Sequence, residues 1–451
     1  MKHTYLLFSW TIFRLLVFSA CICTLGIVTS CEDKEDDVVK HNPSIAMTLT
    51  SFTPDSGRIS EMVLLDGTNF GKDTALLKVF FNAKQASVIG STGTRLLVIV
   101  PRLPGDTCTI TVQVGDQVAA YSEKFIYKVE ASVTTLAGKG HDYPGPVYTS
   151  LDQAEFWPTF LAVDKDFNIF MTDWTTGSLL KLNVQENSIQ VLGTPQQGID
   201  MRCVISVHPI TQVVMLGDMG QATRDQFVFL DPKNNWAPKL HFIKSWDANG
   251  FDMPIDVGAD DYANHIQCLY CEADEHLYTR YYSGQIVQIN PKTWAAKIVA
   301  QTPEGLSNGM SFYPNTTMLW MGFEKGTLAG SICRIDVTDP GSLEEMSTPI
   351  GGGGHRDGPL AIAQFYGPRQ LSFDEDNNLI ICEAYNRDIR MLNTSTMMVS
   401  TIIGIPGVLG NQDGPKETAT FWEPNYIAID AEGIMYIADF GNKNIRRVAI
   451  E

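Results

Sequence analysis

Positive charge is scarce in this 451-residue sequence, which has 33 Lys and Arg residues against 51 Asp and Glu residues and a formal net charge of −18. It also lacks a basic stretch interleaved with aromatic residues that would offset this balance. A phosphate backbone would be repelled by such a chain. Nucleic acid is therefore excluded as an expected partner.

Cysteine pairs and phosphate-binding loops are also missing. Cys268 and Cys271 form a CxxC, but residues three apart in a strand point to opposite faces, so the pair is poorly placed for a metal or a disulfide. The other cysteines after Cys31 stand singly in apolar runs, and we expect buried free thiols. Residues 351–358, GGGGHRDG, lack the Lys-Ser/Thr pair of a phosphate loop, so we expect a turn there.

One long hydrophobic run, LLVFSACICTLGIV, occupies residues 15–28 and follows Lys2 and Arg14. This pattern predicts a signal peptide over residues 1–30; a transmembrane anchor is the alternative. Residues 28–31, VTSC, resemble a lipobox, which implies that Cys31 is lipidated. By itself the acidic run at residues 32–37 is a solvated linker. Beside a lipobox, residues 31–41 resemble the acidic tether of surface lipoproteins of Bacteroidota, which implies an outer-membrane, lipid-anchored and cell-surface location.

Residues 42–128 alternate short period-2 runs with turns such as PDSG, DGTNFG and PGD. This alternation predicts an immunoglobulin-like β-sandwich. The phrases FTPDSG, DGTNFG, IVP and FIY resemble the IPT/TIG family of immunoglobulin-like domains. That family uses these residues for turns and core packing, so the resemblance implies a spacer rather than a catalytic domain.

Internal repetition is the strongest signal after residue 128. Residues 156–173, 366–383 and 422–439 align closely, and each segment is preceded by a run ending in glycine and followed by a third apolar run. The proline before the first strand and the acid closing the second resemble NHL repeats, a family of β-propeller blades. Three degenerate copies, around residues 203–216, 267–279 and 309–320, complete six blades over residues 129–451, although seven stay possible. The overall expectation is an all-β chain, a sandwich followed by a six-bladed NHL-type β-propeller.

The phase of the repeat predicts how the ring closes. Residues 133–136 match the outermost strand of a blade but have no blade before them in sequence. We therefore expect them to pair with the final strands of the chain, which removes free sheet edges.

The residue after each repeat proline is expected to lie around one mouth of the central channel. These residues are Thr159, Cys203, Gln267, Asn308, Arg369 and Asn425. The set is polar but holds too few carboxylates and histidines for a metal cage, so neither a metal nor a catalytic group is assigned. The repeated acids Asp164, Asp374 and Asp430 are assigned to the fold, not to glycoside cleavage.

Aromatic residues recur after the second strand of several blades and are expected on the same face as the ring. Flat rings bordered by amide, acid and guanidinium groups suit a carbohydrate, whose C–H faces stack on aromatic groups while its hydroxyls form hydrogen bonds. Packing within the fold is the alternative for each ring. The ligand-binding candidates are Trp174, Tyr281, Tyr282, Phe323, Arg369, Tyr385, Asn425 and Phe440.

The order of modules resembles that of accessory glycan-binding lipoproteins of polysaccharide-utilization systems. This resemblance implies a non-catalytic surface protein that needs no cofactor, binds a glycan and works beside an outer-membrane importer or sibling lipoproteins. Two rivals remain: a protein-interaction scaffold at the outer membrane, and a metal-dependent propeller lyase or lactonase.

Overall fold

The computed structural model describes residues 39–102, 105, 107–128, 130–140, 145–197, 203–217, 226–254, 267–307, 309–348 and 353–450. The predicted signal peptide, Cys31, residues 32–38 of the tether and Asn308 of the predicted ring lie outside these residues. The described chain is almost entirely β-structure. No helix in these ranges is both long and apolar enough to span a bilayer.

Eight strands form the N-terminal domain, as the alternating pattern predicts. They are β1 (Thr48–Thr53), β2 (Ser56–Gly57), β3 (Met62–Gly71), β4 (Leu77–Phe81), β5 (Lys84–Ser91), β6 (Gly93–Ile99), β7 (Thr107–Val114) and β8 (Gln117–Tyr127), with a 3₁₀ turn at Thr74–Leu76. Their hydrogen-bonded order is β1-β3-β6-β5-β4-β7-β8-β2. Alternate residues point inward, and the rings of Phe81 and Phe125 meet edge to face at 5.1 Å in the core.

Six further sheets form the blades of a β-propeller. Blade 1 contains β10 (Pro158–Val163), β11 (Asn168–Asp173), β12 (Ser178–Asn183) and β13 (Ser188–Gly193). Blade 2 contains β14 (Ile205–Val207), β15 (Val214–Gly217), β16 (Gln226–Leu230) and β17 (Pro238–Phe242). Blade 3 contains β19 (Leu269–Cys271), β20 (His276–Arg280), β21 (Gln285–Ile289) and β22 (Ala295–Gln301), with β18 (Ser245–Asp247) added in parallel to β22. Blade 4 contains β23 (Met310–Phe312), β24 (Met318–Phe323), β25 (Ser331–Asp336) and β26 (Glu344–Glu345). Blade 5 contains β28 (Pro368–Phe373), β29 (Leu379–Glu383), β30 (Asp388–Asn393) and β31 (Met398–Ile403), with β27 (Gly358–Pro359) at its edge. Blade 6 contains β33 (Pro424–Ile429), β34 (Met435–Asp439), β35 (Asn444–Ile450) and β9 (Ala131–Ala137), with β32 (Gly414–Pro415) at its edge. Three further 3₁₀ turns lie at Pro195–Gln197, Pro232–Asn234 and Leu360–Ile362. The three degenerate repeats therefore supply blades 2 to 4, as predicted.

The ring closes through β9, which confirms the prediction for residues 133–136. This strand pairs antiparallel with β35, with Val133 opposite Val448. Its other edge is covered by β32, and the Asp413 carboxylate accepts the Thr135 N–H at 2.9 Å. The first strand of the propeller thus completes the sheet that the last strands begin, so β35 is not left as an open outer edge.

A repeated aspartate shapes the turn between the first and second strands. The Asp164 carboxylate accepts the N–H groups of Asp166 at 3.0 Å and Asn168 at 2.9 Å, which closes a tight turn. Asp374 and Asp430 hold the same turn in blades 5 and 6. The prediction that these acids belong to the fold is confirmed by these bonds.

The N-terminal domain rests against those turns. Arg102 donates to the carbonyls of Glu432, at 3.2 Å, and Gly433, at 2.9 Å. Lys84 forms an ion pair with Asp376 in the matching turn of blade 5. We call this side of the propeller the spacer face. The opposite side, which carries the loops between second and third strands, is the mouth face.

Two local expectations meet different outcomes. Cys268 and Cys271 are free and fully buried in two separate apolar clusters, as expected from their opposite orientations. By the phase of the repeat, the glycine-ending run before residues 366–383 would form the outer strand of blade 4, but its described residues, 346–348, do not, because that strand is β26. Met346 and Ser347 still lie beside β25, because the backbone N–H groups of both donate to the Ile332 carbonyl. Two donors on one carbonyl do not continue the regular hydrogen bonding between β25 and β26.

Candidate functional site

Two loops of each blade meet on the mouth face. We call the loop before the first strand the approach loop and the loop between the second and third strands the hairpin loop. Backbone hydrogen bonds of 2.9 to 3.0 Å join them in four blades: Trp174 to Trp157, Glu324 to Leu306, Ala384 to Gly367 and Phe440 to Glu423, each named donor first. The prediction that both loops share one face is confirmed. Side chains from adjacent blades can therefore meet there.

The six first strands enclose a channel cavity of about 180 Å³, lined mainly by aliphatic and amide side chains. Of the predicted ring, Thr159, Cys203, Gln267 and Asn425 are buried. Gln267 accepts the Met310 N–H at 2.9 Å, which explains why an amide is held there. Asn425 thus lies below the mouth rather than on it, and its Oδ1 accepts no hydrogen bond in the described chain.

Arg369 projects from β28 into a junction of three blades. Its side chain lies 3.0 Å from a carboxylate oxygen of Glu324 in blade 4 and 2.9 Å from one of Glu423 in blade 6. Tyr385 donates its hydroxyl to Glu324, and the guanidinium lies over the Tyr385 ring at 5.2 Å. One cation here faces two carboxylates, so this junction has no free positive charge to attract an anionic ligand.

The two carboxylates of this junction keep the Arg369 guanidinium charged. Burial lowers the pKa of Arg369, but the carboxylates of Glu324 and Glu423 outweigh burial and raise it overall. Burial together with the Glu324 charge raises the pKa of Tyr385 to about 12. Tyr385 therefore stays a hydroxyl donor throughout the physiological range.

Tyr385 and Tyr366 form a half-exposed aromatic pair with ring centroids 4.8 Å apart. Gly367 has φ of 67°, and a Cβ on it would lie 2.5 Å from the Tyr385 ring. Glycine at this position therefore permits both the backbone turn and the close approach of the ring. The pair presents about 40% of the Tyr366 surface to solvent.

A second aromatic group spans blades 6 and 1. The Phe440 ring lies 5.0 Å from Trp157 and 6.3 Å from Trp174, and the Lys443 ammonium lies 4.8 Å from the Trp157 ring centroid. Phe440 is buried, at 8% exposure, so it supports the two half-buried indoles rather than facing solvent itself.

These two groups are linked by direct contacts. Arg369 joins Tyr385 to Glu423, the Glu423 carbonyl accepts the Phe440 N–H, and Phe440 packs on Trp174. We call this continuous set the mouth arc, comprising Glu324, Tyr366, Arg369, Tyr385, Glu423, Trp157, Trp174 and Phe440. It is the candidate functional site.

The remaining predicted aromatics are placed elsewhere. Phe323 is fully buried, and the Arg280 guanidinium lies 4.8 Å from its ring centroid. Tyr281 is 5% exposed and packs near Trp246, at 6.4 Å between ring centroids, while Tyr282 is half-buried. The expectation of aromatic rings offered around the whole mouth is therefore wrong for Phe323 and Tyr281, because Arg280 and blade 3 cover them.

Sequence reasoning assigned no role to Glu324 and Glu423. Glu324 directly follows the candidate Phe323, and Glu423 lies in the repeat segment 422–439, but only the fold brings the two acids to one arginine. Arg369, the one charged residue in the ring predicted around the channel mouth, could have indicated these acids, since a buried guanidinium needs carboxylate partners.

Buried arginines also fix the approach loops of blades 5 and 6. Each lies between two carboxylates: Arg390 with Asp357 and Glu383, and Arg446 with Asp413 and Asp439. Asp357 also accepts the Thr401 N–H, and Gly358 pairs with Val399, as Gly414 pairs with Val133. Asp357-Gly358 therefore takes the place in blade 5 that Asp413-Gly414 takes in blade 6, as predicted, although Gly358 lies in strand β27 rather than in a turn. Burial, followed by the Asp388 charge, raises the pKa of Glu383 to about 8.

Comparisons with known proteins agree with this architecture. Residues 47–127 match the IPT/TIG domain family. A solved structure of a structural genomics protein of unknown function from Bacteroides thetaiotaomicron is similar over 91% of this chain and 100% of its own, with 24% identity and a TM-score of 0.67. No curated protein sequence matches the chain.

Two further solved structures are described as auxiliary nutrient binding proteins. The one from Bacteroides ovatus has 19% identity and a TM-score of 0.58, and covers 91% of this chain and 100% of its own. The one from Bacteroides thetaiotaomicron has 18% identity and a TM-score of 0.56, with 92% and 100% covered. These likenesses show the fold: an IPT/TIG domain followed by a six-bladed β-propeller.

Proposed function

We propose that this protein is a non-catalytic surface lipoprotein that binds a polysaccharide or oligosaccharide on the mouth arc and aids its capture for outer-membrane uptake. The observation that carries the proposal is the pairing of half-buried rings with a neutralised arginine in one continuous set. Trp174 and Tyr385 offer ring surface, while Glu423 and Tyr385 offer hydrogen-bonding groups beside it. Sugars need both, because their rings stack through C–H groups while their hydroxyls seek polar partners.

The placement of the N-terminal domain supports this proposal. That domain contacts the spacer face through Arg102 and Lys84, so it leaves the mouth arc uncovered. With Cys31 lipidated and residues 31–41 as a tether, the membrane anchor lies on the N-terminal side of this domain. We propose that the mouth face is then presented outward from the cell, beside an importer or sibling lipoproteins.

The names of two similar structures support a binding role, since both are described as auxiliary nutrient binding proteins. The channel argues against metal-dependent lyase or lactonase chemistry. Among the described ring positions, Thr159, Cys203, Gln267 and Asn425 provide no carboxylate or imidazole, and Arg369 is already paired. Such chemistry needs several anionic or imidazole ligands converging on one ion.

Binding is tested by affinity electrophoresis and isothermal titration calorimetry of the purified protein against a panel of neutral and acidic polysaccharides. We expect at least one neutral glycan to bind. Trp174→Ala and Tyr385→Ala should each weaken that binding at least tenfold, whereas Trp246→Ala, at the outer edge of blade 3, serves as the matched control and should not. Absence of binding to every glycan in the panel would refute the proposal. Release of shortened or unsaturated products would instead favour the enzyme.

A protein-interaction scaffold is the second candidate, and one observation favours it. Val408 and Leu409 expose 44% and 52% of their surfaces on the loop between blades 5 and 6, and Tyr366 is exposed in blade 5. Apolar side chains of this kind suit a protein partner better than a sugar. Co-purification of an outer-membrane protein that is lost in a Val408→Ser, Leu409→Ser variant, and that survives excess glycan, would identify the scaffold.

A further inference from the structure

Blades 5 and 6 differ at one pair of positions next to their buried arginines; one member of each pair is buried and the other lies on the approach loop. In blade 6 these positions hold Asn411 and Asn444, and the Asn444 amide donates to Asn411 Oδ1 at 3.0 Å. In blade 5 the same positions, two residues before Asp357 and at the start of β30, hold His355 and Asp388. His355 Nε2 lies 2.8 Å from Asp388 Oδ2. Blade 6 thus has two neutral amides at these positions, whereas blade 5 has an imidazole and a carboxylate.

This exchange leaves excess negative charge inside blade 5. Asp388 is fully buried, and neither of its oxygens accepts a hydrogen bond of good geometry from the described residues. Asp357 and Glu383 form ion pairs with Arg390, and the charge of Asp388 also acts on this guanidinium, whereas Arg446 of blade 6 has two carboxylate partners. A buried carboxylate without a compensating positive charge is strongly unfavourable. Either a proton or a metal cation can supply that charge here, and the arrangement of the ligand atoms distinguishes the two.

Three ligand atoms converge at this point. His355 Nε2 and one oxygen each of Glu383 and Asp388 all lie within 4.8 Å of one another. We propose that His355, Glu383 and Asp388 bind one divalent first-row transition-metal ion, such as Zn²⁺. One imidazole and two carboxylates suit such an ion, while Ca²⁺ requires six or more oxygen ligands.

The geometry allows coordination with a small adjustment. Bonds of about 2.0–2.2 Å to zinc place tetrahedral ligand atoms about 3.4 Å apart. Pairs of ligand atoms that now lie up to 4.8 Å apart must therefore close, while His355 Nε2 and Asp388 Oδ2 must open from 2.8 Å. His355 is the one member with an exposed side-chain fraction, 24%, and it lies on the approach loop. Rotation of its imidazole supplies the movement and also gives the ion a path from solvent.

The surroundings of Glu383 are those of a supported ligand. Its Oε1 accepts the Tyr366 N–H at 2.8 Å, and its Oε2 accepts from Arg390 at 2.8 Å and Asn386 at 3.2 Å. Carboxylates that bind metals are commonly oriented by such hydrogen bonds. The Arg390 charge repels a cation, so we expect affinity below that of closed structural zinc sites.

The bound ion links this site to the mouth arc by position. It joins the approach loop, through His355, to the hairpin loop that carries Tyr385, through Glu383 and Asp388. The ion is thus a positioning element for the Tyr366 and Tyr385 pair. The metal assignment itself does not depend on what the arc binds.

Zinc binding is measured by isothermal titration calorimetry of the chelator-treated, purified protein with ZnCl₂ alone. We expect one Zn²⁺ per chain. The double variant His355→Asn, Asp388→Asn converts the pair to the one already present in blade 6, and should weaken binding at least 100-fold. His276→Asn removes the imidazole beside Asp274, whose oxygen lies 3.7 Å from it, and as the matched control should leave binding unchanged.

Two further measurements keep the test decisive if the double variant is unstable. Circular dichroism establishes folding, and the single variant Asp388→Asn is titrated in parallel with the same expected loss. X-ray absorption of the wild-type zinc complex should show one imidazole with oxygen ligands. Absence of zinc binding, unchanged binding in the folded Asp388→Asn variant, or a sulfur ligand in the spectrum would each overturn the proposal.

Discussion

The mouth face has two unlike halves. In blades 5, 6 and 1, the second strand ends in an acid that holds the approach loop of its own blade: Glu383 accepts the Tyr366 N–H, Asp439 the Glu423 N–H, and Asp173 the Tyr148 hydroxyl. In blade 3 the same position holds Arg280, which donates to the carbonyls of Pro303 and Gly305 in the approach loop of blade 4.

This difference accounts for the unlike exposure of Tyr385 and Phe323. In blade 5 Glu383 holds the approach loop of its own blade, and Tyr385 stays half-exposed. Arg280 instead reaches the next blade and lies over Phe323, which it helps to cover. The sequence pattern is similar in both halves, but Arg280 in place of an acid goes with the burial of Phe323 in the next blade.

The largest expected effect on the free energy of unfolding distinguishes a buried aromatic ring from a partly exposed one. Phe323→Ala removes a fully buried ring and should lower the free energy of unfolding by about 4 kcal/mol. Tyr385→Ala, in the other half, should cost about 1 kcal/mol, because its half-buried ring loses mainly a hydrogen bond. Urea unfolding of both variants measures the contrast. Equal losses would show that the two halves are packed alike.

A smaller effect should come from the buried arginines of the two halves. Arg446→Met strands the carboxylates of Asp413 and Asp439 and should cost about 3 kcal/mol. Arg280→Met, the matched control, leaves only neutral acceptors unpaired and should cost about 1–2 kcal/mol.

The Arg446→Met defect should also depend on pH. Burial raises the pKa of Asp439, and loss of Arg446 raises it further, so this carboxyl binds a proton more tightly in the folded variant than in the unfolded chain. The defect should therefore shrink as pH falls from 8 to 5, because protonation removes the stranded charge. Urea midpoints measured at both pH values test this. A defect that is constant with pH would show that Asp439 stays ionised without its partner.

A still smaller change should disturb the mouth arc alone. Gly367→Ala places a methyl group 2.5 Å from the Tyr385 ring, in a left-handed backbone conformation, and should cost about 1 kcal/mol and weaken glycan binding severalfold. Gly407→Ala has a similar φ, 75°, and open space around its Cβ, so it should lose similar stability without the loss of binding. Equal glycan affinities of the two variants would place Tyr385 outside the binding site.

The smallest expected effect is the same in both halves: the described cysteines should not react with iodoacetamide in the folded protein. Burial raises the pKa of Cys271 and Cys333 to about 11, so at pH 8 roughly one thousandth of each is thiolate, and the chain shields it. Iodoacetamide should label Cys268, Cys271, Cys333 and Cys382 in 8 M urea but not in buffer, as read by mass spectrometry of the peptides. Rapid native labelling of Cys271 or Cys333 alone would show that blades 3 and 4 open locally.

Much of the fold could be predicted because repetition encodes it. The Pro-to-Asp spacing marks the first two strands of a blade, and the unpaired run at residues 133–136 indicates the closure with β35. The outer strand of blade 4 could not be placed, since its pairing depends on how Met346 and Ser347 share one acceptor.

Only part of the candidate site could be predicted. Trp174, Arg369 and Tyr385 lie in the mouth arc, because the repeat frame alone fixes the loops that carry them. The burial of Phe323 could not be foreseen, as it depends on Arg280 from another blade. The cluster of His355 with Glu383 and Asp388 was likewise hidden, because its members are distant in sequence and the histidine has no counterpart in other repeats.

Strand β9 has a mechanical consequence. It begins four residues after β8 ends, so the last strand of the N-terminal domain leads almost directly into the strand that closes the ring. A pull on the N-terminal domain therefore reaches the propeller first at β9, which is held by β35 on one side and β32 on the other. If the N-terminus is anchored and the mouth arc binds a large ligand, as proposed above, the ring closure is also the element that bears the tension between them.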